Sequence, residues 1–185
     1  MERTSGQRGI LVPGQRLGRD FFVRDVLEVA PDLIGKHLAL VRDGKAEAWQ
    51  ITETEAYRGE EDLACHARNG LTKRTEVMYR EGGHLYMYLI YGMYWMLNVV
   101  VGPANIPQAV LIRGVKGFEG PGRLTKHLGL DRSYYGESLV DSSRIWIAEG
   151  HAPGNIITTP RIGIDYAGEW KEKPWRFVAA EKGDV

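Results

Sequence analysis

Cysteine is almost absent. Cys65 is the single one in 185 residues, so the chain can build neither an internal disulfide framework nor a cysteine cluster for structural zinc or iron–sulfur. A reducing compartment is the expected setting. Net charge is absent as well: 24 Lys and Arg stand against 24 Asp and Glu, which leaves no overall field to draw in a polyanion. No hydrophobic run approaches the length of a membrane span, and Met1–Gly14 holds only Ile10, Leu11 and Val12 together, far short of a signal-peptide core. An intracellular, soluble protein is expected. There is no Walker loop, no G-x-S-x-G, and no H-x-E with the P-C-x-x-C of the zinc deaminases. Cys65-His66 has no second ligand pair at zinc-like spacing, so no metal is expected. No internal repeat, low-complexity block or interdomain linker is visible.

What is present is an ordinary globular composition, 43% hydrophobic and 26% charged. A chain of this length, folded as one domain, buries roughly 70% of the surface its unfolded form exposes, so its core needs no staple. Residues 1–16 read as a flexible tail and 17–185 as a single domain. The neutral total hides local asymmetry. Arg113–Arg132 carries five basic and two acidic residues, a net of +3; His66–His84 carries four and two, a net of +2; Ile51–Asp62 carries five acids and one base, a net of −4. An acidic strip flanked by basic loops suits a site that grips phosphates and needs carboxylates. Solvated loop surface is the alternative.

Apolar residues Phe22, Val23, Val26, Leu27 and Ala30 recur at helical spacing after Asp20, a candidate N-cap, with Pro31 ending that helix or opening a second turn. His37–Arg42 and Ala46–Tyr57 read as strands joined by the turn Asp43-Gly44-Lys45. Glu60–Arg68 fits one or two helical turns and Asn69–Arg74 an exposed loop. His84–Val101, aromatic and split by Gly92, reads as two strands around a turn. Gln108–Val115 is a further strand, Lys116–Gly122 a loop, Arg123–Leu128 a helix, Arg144–Glu149 a strand, and Pro160–Ile164 a candidate strand. The fold class is therefore α+β, a single domain with a curved, mainly antiparallel sheet flanked by helices.

Unbroken alternation along the second strand sets Trp49, Ile51, Glu53, Glu55 and Tyr57 on one face, where paired carboxylates suit acid–base work if the face is covered. A solvated strand edge is the alternative. His66 follows an acidic turn and is either structural or catalytic. Tyr86, Tyr88 and Ile90 share one face of their strand, and Tyr91-Gly92-Met93-Tyr94 makes an aromatic tip, fit to wedge between stacked bases or to pack on a neighbouring loop. Asn98 interrupts an apolar strand, either at a sheet edge or as a specificity group in a pocket.

Five ordered blocks carry a specific resemblance: ITETEAYRGEEDLACHAR (51–68), GHLYMYLIYGMYWMLNVV (83–100), VLIRGV (110–115), EGPGRLTKHLGL (119–130) and PRIGIDYAGEWKEKPWRF (160–177). In order and spacing they resemble the alkyladenine (3-methyladenine) DNA glycosylase family. The resemblance implies a formyltransferase C-terminal-domain-like fold and a monofunctional base-excision repair enzyme. Such an enzyme flips a damaged purine from duplex DNA and hydrolyses its N-glycosidic bond. It implies Glu55 as the general base, Arg113 as the residue holding the water and backbone, and Tyr57 and Tyr88 as walls of the base pocket. His66 would lie against the flipped base, Tyr91 would fill the vacated stack, and Asn98 would crowd the 2-amino group of undamaged guanine. Glu53 has no catalytic role in the family and falls to a structural one. The chain departs at Lys73, Tyr79 and His127, where proline, phenylalanine and alanine are usual, which bears on loop details and substrate breadth. The implied partner is double-stranded DNA containing damaged purines, with no cofactor. A monomer is expected, located in the cytoplasm and nucleoid of a bacterium or the nucleus of a eukaryote. A non-catalytic lesion- or RNA-binding protein is the alternative from another class, and a strand-nicking lyase a second.

Overall fold

Fourteen consecutive residues of one strand, Lys45–Arg58, organise the molecule. In the computed structural model, which describes residues 13–180, this is β2. The other strands are β1 (His37–Arg42), β3 (Leu85–Ile90), β4 (Tyr94–Val101), β5 (Gln108–Val115), β6 (Phe118–Glu119), β7 (Ile145–Ala148), β8 (Ile156–Thr159) and β9 (Arg176–Ala179). The helices are α1 (Arg19–Phe22), α2 (Val26–Asp32) and α3 (Pro121–Leu128). All pairings between the strands are antiparallel. They form one open sheet in the order β3-β4-β5-β2-β1-β7, with β6 on β5, and with β9 on β2 carrying β8. The chain is thus a single α+β domain with a mainly antiparallel sheet.

The β1–β2 turn is set by Asp43 and Gly44, both at positive φ (49° and 74°), the mirror-image turn whose twist matches that of the flanking strands. The first half of β2 pairs with β1, and the second half lies between β5 and β9. Where the halves meet, alternation changes phase. Ile51 opposes Val115, Glu53 opposes Gly114 and Thr54 opposes Ile112, which leaves Thr52 and Arg113 each as an extra residue without a partner across. Trp49 and Ile51 enter the main core before this double bulge, and Ala56 enters it after. On β5 the core residues are Val115 on one side of the bulge and Ile112 and Val110 on the other. Trp49 and Ile51 therefore do not share a face with Glu55 and Tyr57, contrary to unbroken alternation. The bulge turns Glu53, Glu55, Tyr57 and Arg113 together toward the opposite side of the sheet. Gly114 permits it: a Cβ there would stand 3.2 Å from Thr52 Oγ1 and 3.4 Å from Glu53 Cβ.

The single helix expected after Asp20 is two. Gly102 N–H donates to Phe22 O, closing α1, and Asp25 caps α2 by accepting from Leu27 N–H at 2.9 Å. Gln108 Oε1 accepts from Val26 N–H at the same end, and Thr54 Oγ1 donates to Ala30 O at 2.8 Å, which ties α2 to β5 and β2. α3 begins at Pro121, two residues before its expected start, because proline suits the first turn. Pro160–Ile164 is not a strand; the strand is β8, immediately before it, and β9, near the end of the described residues, pairs with β8 and with β2. Residues 1–12 of the expected tail lie outside the described residues. Gln15 and Arg16 are held: Glu149 N–H donates to Gln15 O at 2.7 Å, and the Arg16 guanidinium donates to Val140 O and Ser142 O. Among the described residues, no helix is long and apolar enough to cross a membrane.

Candidate active site

β2, β3, β4 and β5 wall a cavity of about 440 Å³ on the sheet face opposite the main core. Tyr57, His66, Tyr88, Tyr91, Asn98 and Arg113 all line it, so six of the seven residues singled out in the sequence converge on one space. The seventh, Glu55, lies just behind the wall with no exposed surface. Its Oε2 accepts from Tyr57 OH at 2.7 Å and its Oε1 from Ile162 N–H at 2.8 Å, both from residues of the cavity wall. Burial pushes the Glu55 carboxyl above the ordinary carboxylate range. The Arg113 cation, the Ile162 amide, the Tyr57 hydroxyl and the Arg161 cation pull the other way without overcoming it. Burial, with the Glu55 charge next, holds the Tyr57 phenol far above its usual value, so its hydroxyl stays a donor.

His66 opens a short 3₁₀ turn, His66–Asn69. Its Nδ1 lies 2.8 Å from Tyr86 OH and its ring meets Tyr88 edge-on at 4.5 Å. Burial first, then the cations Arg74 and Arg68, push its pKa down to about 4, which makes it a neutral imidazole at physiological pH. Asn98 is buried, not at a sheet edge, and its Nδ2 donates to Tyr86 O at 3.2 Å. The β3–β4 tip places Tyr91 (φ 51°) and Gly92 (φ 66°) in left-handed conformations. For a tyrosine this costs roughly 1–2 kcal/mol. The outcome is an aromatic ring 88% exposed at the rim of the cavity, with Met93 also exposed beside it. Tyr94, at the base of the tip, packs against Gly122 in the first turn of α3, so only Tyr91 and Met93 are left free for a wedge.

The sequence reading missed the groups that hold this wall. Asp62, in the acidic strip, is fully buried and takes a bidentate pair from Arg161, at 2.6 and 2.9 Å. Arg161 also donates to Ala56 O, and it lies 4.8 Å from the Tyr57 ring centroid and 5.1 Å from that of Trp175. This anchor fixes the 160–164 segment whose Ile162 amide meets Glu55. Glu53 is likewise paired, with Arg113 and Arg176. Three of the five acids of the strip are thus buried against arginines, while Glu60 and Glu61 stay exposed. Cys65 is buried too, and that burial pushes its thiol up to about 12, which disfavours the thiolate. The departures lie off the cavity wall. Tyr79 OH donates to Glu60 at 2.7 Å, His127 stacks on Phe118 at 3.5 Å, and Lys73 is exposed in its loop.

A family model described as methylpurine-DNA glycosylase matches residues 20–119 and 116–183. The chain is 42% identical over 181 residues to a Methanocella arvoryzae protein named "Putative 3-methyladenine DNA glycosylase", with 87% of this chain and 90% of the relative covered. Proteins of the same name from Psychrobacter cryohalolentis (41% over 188 residues, 85% and 89% covered) and Legionella pneumophila (43% over 173 residues, 88% and 93% covered) are similar to it. The class is therefore that of an enzyme of DNA base-excision repair, a DNA glycosylase. The chain belongs to the methylpurine-DNA glycosylase family.

Proposed function

We propose that this enzyme flips alkylated or deaminated purines out of duplex DNA into the 440 Å³ cavity and hydrolyses their N-glycosidic bond with water activated by Glu55. The substrates are 3-methyladenine and 7-methylguanine, with hypoxanthine and ethenoadenine as neutral counterparts. The observation that carries this reading is a cavity of small-ligand size, bounded by aromatic walls, with a carboxylate at its back and an exposed aromatic on its rim.

Departure of the base leaves an oxocarbenium-like sugar, and a nearby carboxylate balances that charge and takes a proton from the attacking water. An ionised carboxylate has about four acceptor positions. Tyr57 and Ile162 use two at Glu55, which leaves capacity for the water. Bases alkylated at N3 or N7 are cationic and need no acid, and the rings of Tyr57 and Tyr88 favour them by about 0.5–2 kcal/mol of cation–π attraction. Tyr91 enters the vacated stack and offsets part of the few kcal/mol of unstacking, Arg113 helps hold the water and backbone, and Asn98 excludes the 2-amino group of intact guanine. The enzyme acts as a monomer without a cofactor, on a formyltransferase C-terminal-domain-like fold, in the compartment that holds the chromosome.

Single-turnover release of free base from duplexes carrying each lesion, with borohydride trapping in parallel, tests this. Base release without a trapped adduct is expected. Tight lesion binding without release would favour a lesion-binding protein, and a trapped adduct would make the enzyme a lyase.

A further inference from the structure

Glu53 points to the same side of the sheet as Glu55, two residues along β2, and cations reach it from the strands on both sides. Arg113 Nε of β5 donates to Glu53 Oε1 at 2.9 Å and Arg176 Nε of β9 donates to the same oxygen at 2.6 Å. Arg176 is itself fixed by a bond to Thr159 Oγ1 at 3.0 Å. All three side chains are largely buried, 12%, 14% and 22% exposed. Arg113 Nε also lies 3.6 Å from Glu55 Oε1, beyond hydrogen-bonding distance. Arg113 thus stands between two carboxylates and bonds the one that has no place in the proposed reaction.

Resting on the reading of Glu55 as the base, we infer that Glu53 is a positioning residue: anchored by Arg176, it holds the Arg113 guanidinium off Glu55 and leaves that carboxylate for the water. Without the Glu53 charge, the nearest carboxylate for Arg113 is Glu55. The direct ion pair would then occupy the acceptor positions the water needs and lower the proton affinity of the base. The charged and titratable groups facing Glu55 are Glu53 and Tyr57 of β2, Arg113 of β5, Tyr88 of β3, Arg161 of the 160–164 segment and Arg176 of β9. Replacing Glu53 by a neutral residue takes the counter-charge from both arginines: Arg176 keeps its bond to Thr159, and Arg113 is left to turn to Glu55.

The test is the single-turnover rate of 7-methylguanine release against pH for wild type, Glu53→Gln, Arg113→Ala, the double variant and Glu55→Gln, with folding checked by thermal unfolding. For Glu53→Gln we expect the rising limb to move to lower pH by about one unit and the plateau to fall about tenfold. In the Arg113→Ala background the same substitution should lower the plateau little further, because the cation it releases is gone. If Glu53→Gln unfolds, Glu53→Asp keeps the charge, shortens the reach, and should show the same dependence on Arg113. An unmoved limb, or equal plateau losses in both backgrounds, would overturn the positioning role while an inactive Glu55→Gln left the reading of the base intact. An active Glu55→Gln would instead remove that reading.

Discussion

Tyr57→Phe removes one oxygen and leaves the aromatic wall in place. That oxygen donates to Glu55 Oε2 at 2.7 Å, inside a site where the carboxylate has no exposed surface. A hydrogen bond to a charged group is worth about 1.5–3 kcal/mol, and one pKa unit corresponds to about 1.4 kcal/mol. The bond favours the ionised form, so losing it should raise the Glu55 carboxyl further above a value that burial has already raised. The base works when ionised. For a cationic lesion such as 7-methylguanine, which needs no acid, the excision rate of Tyr57→Phe should therefore climb to its plateau at a pH about one to two units higher than wild type. Plateau height should change much less, because the ring and the Ile162 amide remain. Tyr57→Ala, which also removes the wall, should lose rate at every pH. The assay is single-turnover release of 7-methylguanine across a pH series in chelator, which also checks that no divalent metal is needed. A Tyr57→Phe limb that coincides with wild type, or a loss as uniform as that of Tyr57→Ala, would refute the coupling of Tyr57 to Glu55.

Other outcomes follow from the same geometry. Native His66 takes its proton only near pH 4, whereas the unfolded chain takes it near 6.5, so stability should fall by about 1.4 kcal/mol per pH unit as pH drops between those values. Urea unfolding of His66→Phe should lack that component, and equal pH slopes would contradict it. Asp62→Asn leaves the fully buried Arg161 without its counter-charge and should cost about 3–5 kcal/mol of stability; a loss below about 1 kcal/mol in denaturant unfolding would rule out the anchor. Tyr91→Ala should weaken capture of the flipped base by about 1–3 kcal/mol, read as reduced 2-aminopurine fluorescence beside the lesion, and unchanged fluorescence would give the tip another role.

The sequence made hairpins legible where turn chemistry and alternation agree, as at Asp43-Gly44 and Tyr91-Gly92, whose flanking strands pair as expected. Alternation failed at Thr52, because counting by twos assumes that no residue is extra, and a compensated bulge leaves the sequence pattern unmarked. The resemblance identified Tyr57, His66, Tyr88, Asn98 and Arg113, which do meet at one cavity. It said nothing of Asp62, read as part of a charged strip, because its partner Arg161 lies 99 residues away and only the folded chain joins them. The segment 160–164 looked like a strand from Ile162 and Ile164, yet Gly163 at φ 75° breaks the extended run and helps free the Ile162 amide to reach Glu55. Tyr86 was set beside Tyr88 by alternation, but its hydroxyl contact with His66 carries no signature in sequence.

The most direct measurement is single-turnover release of 7-methylguanine from duplex DNA by wild type and Glu55→Gln, with binding of each to the same duplex measured alongside. The substitution keeps the shape of a side chain that has no exposed surface and removes its charge. With Glu55 as the base, release should fall by at least about a hundredfold while lesion binding persists. Release near the wild-type rate, with binding intact, would contradict the assignment.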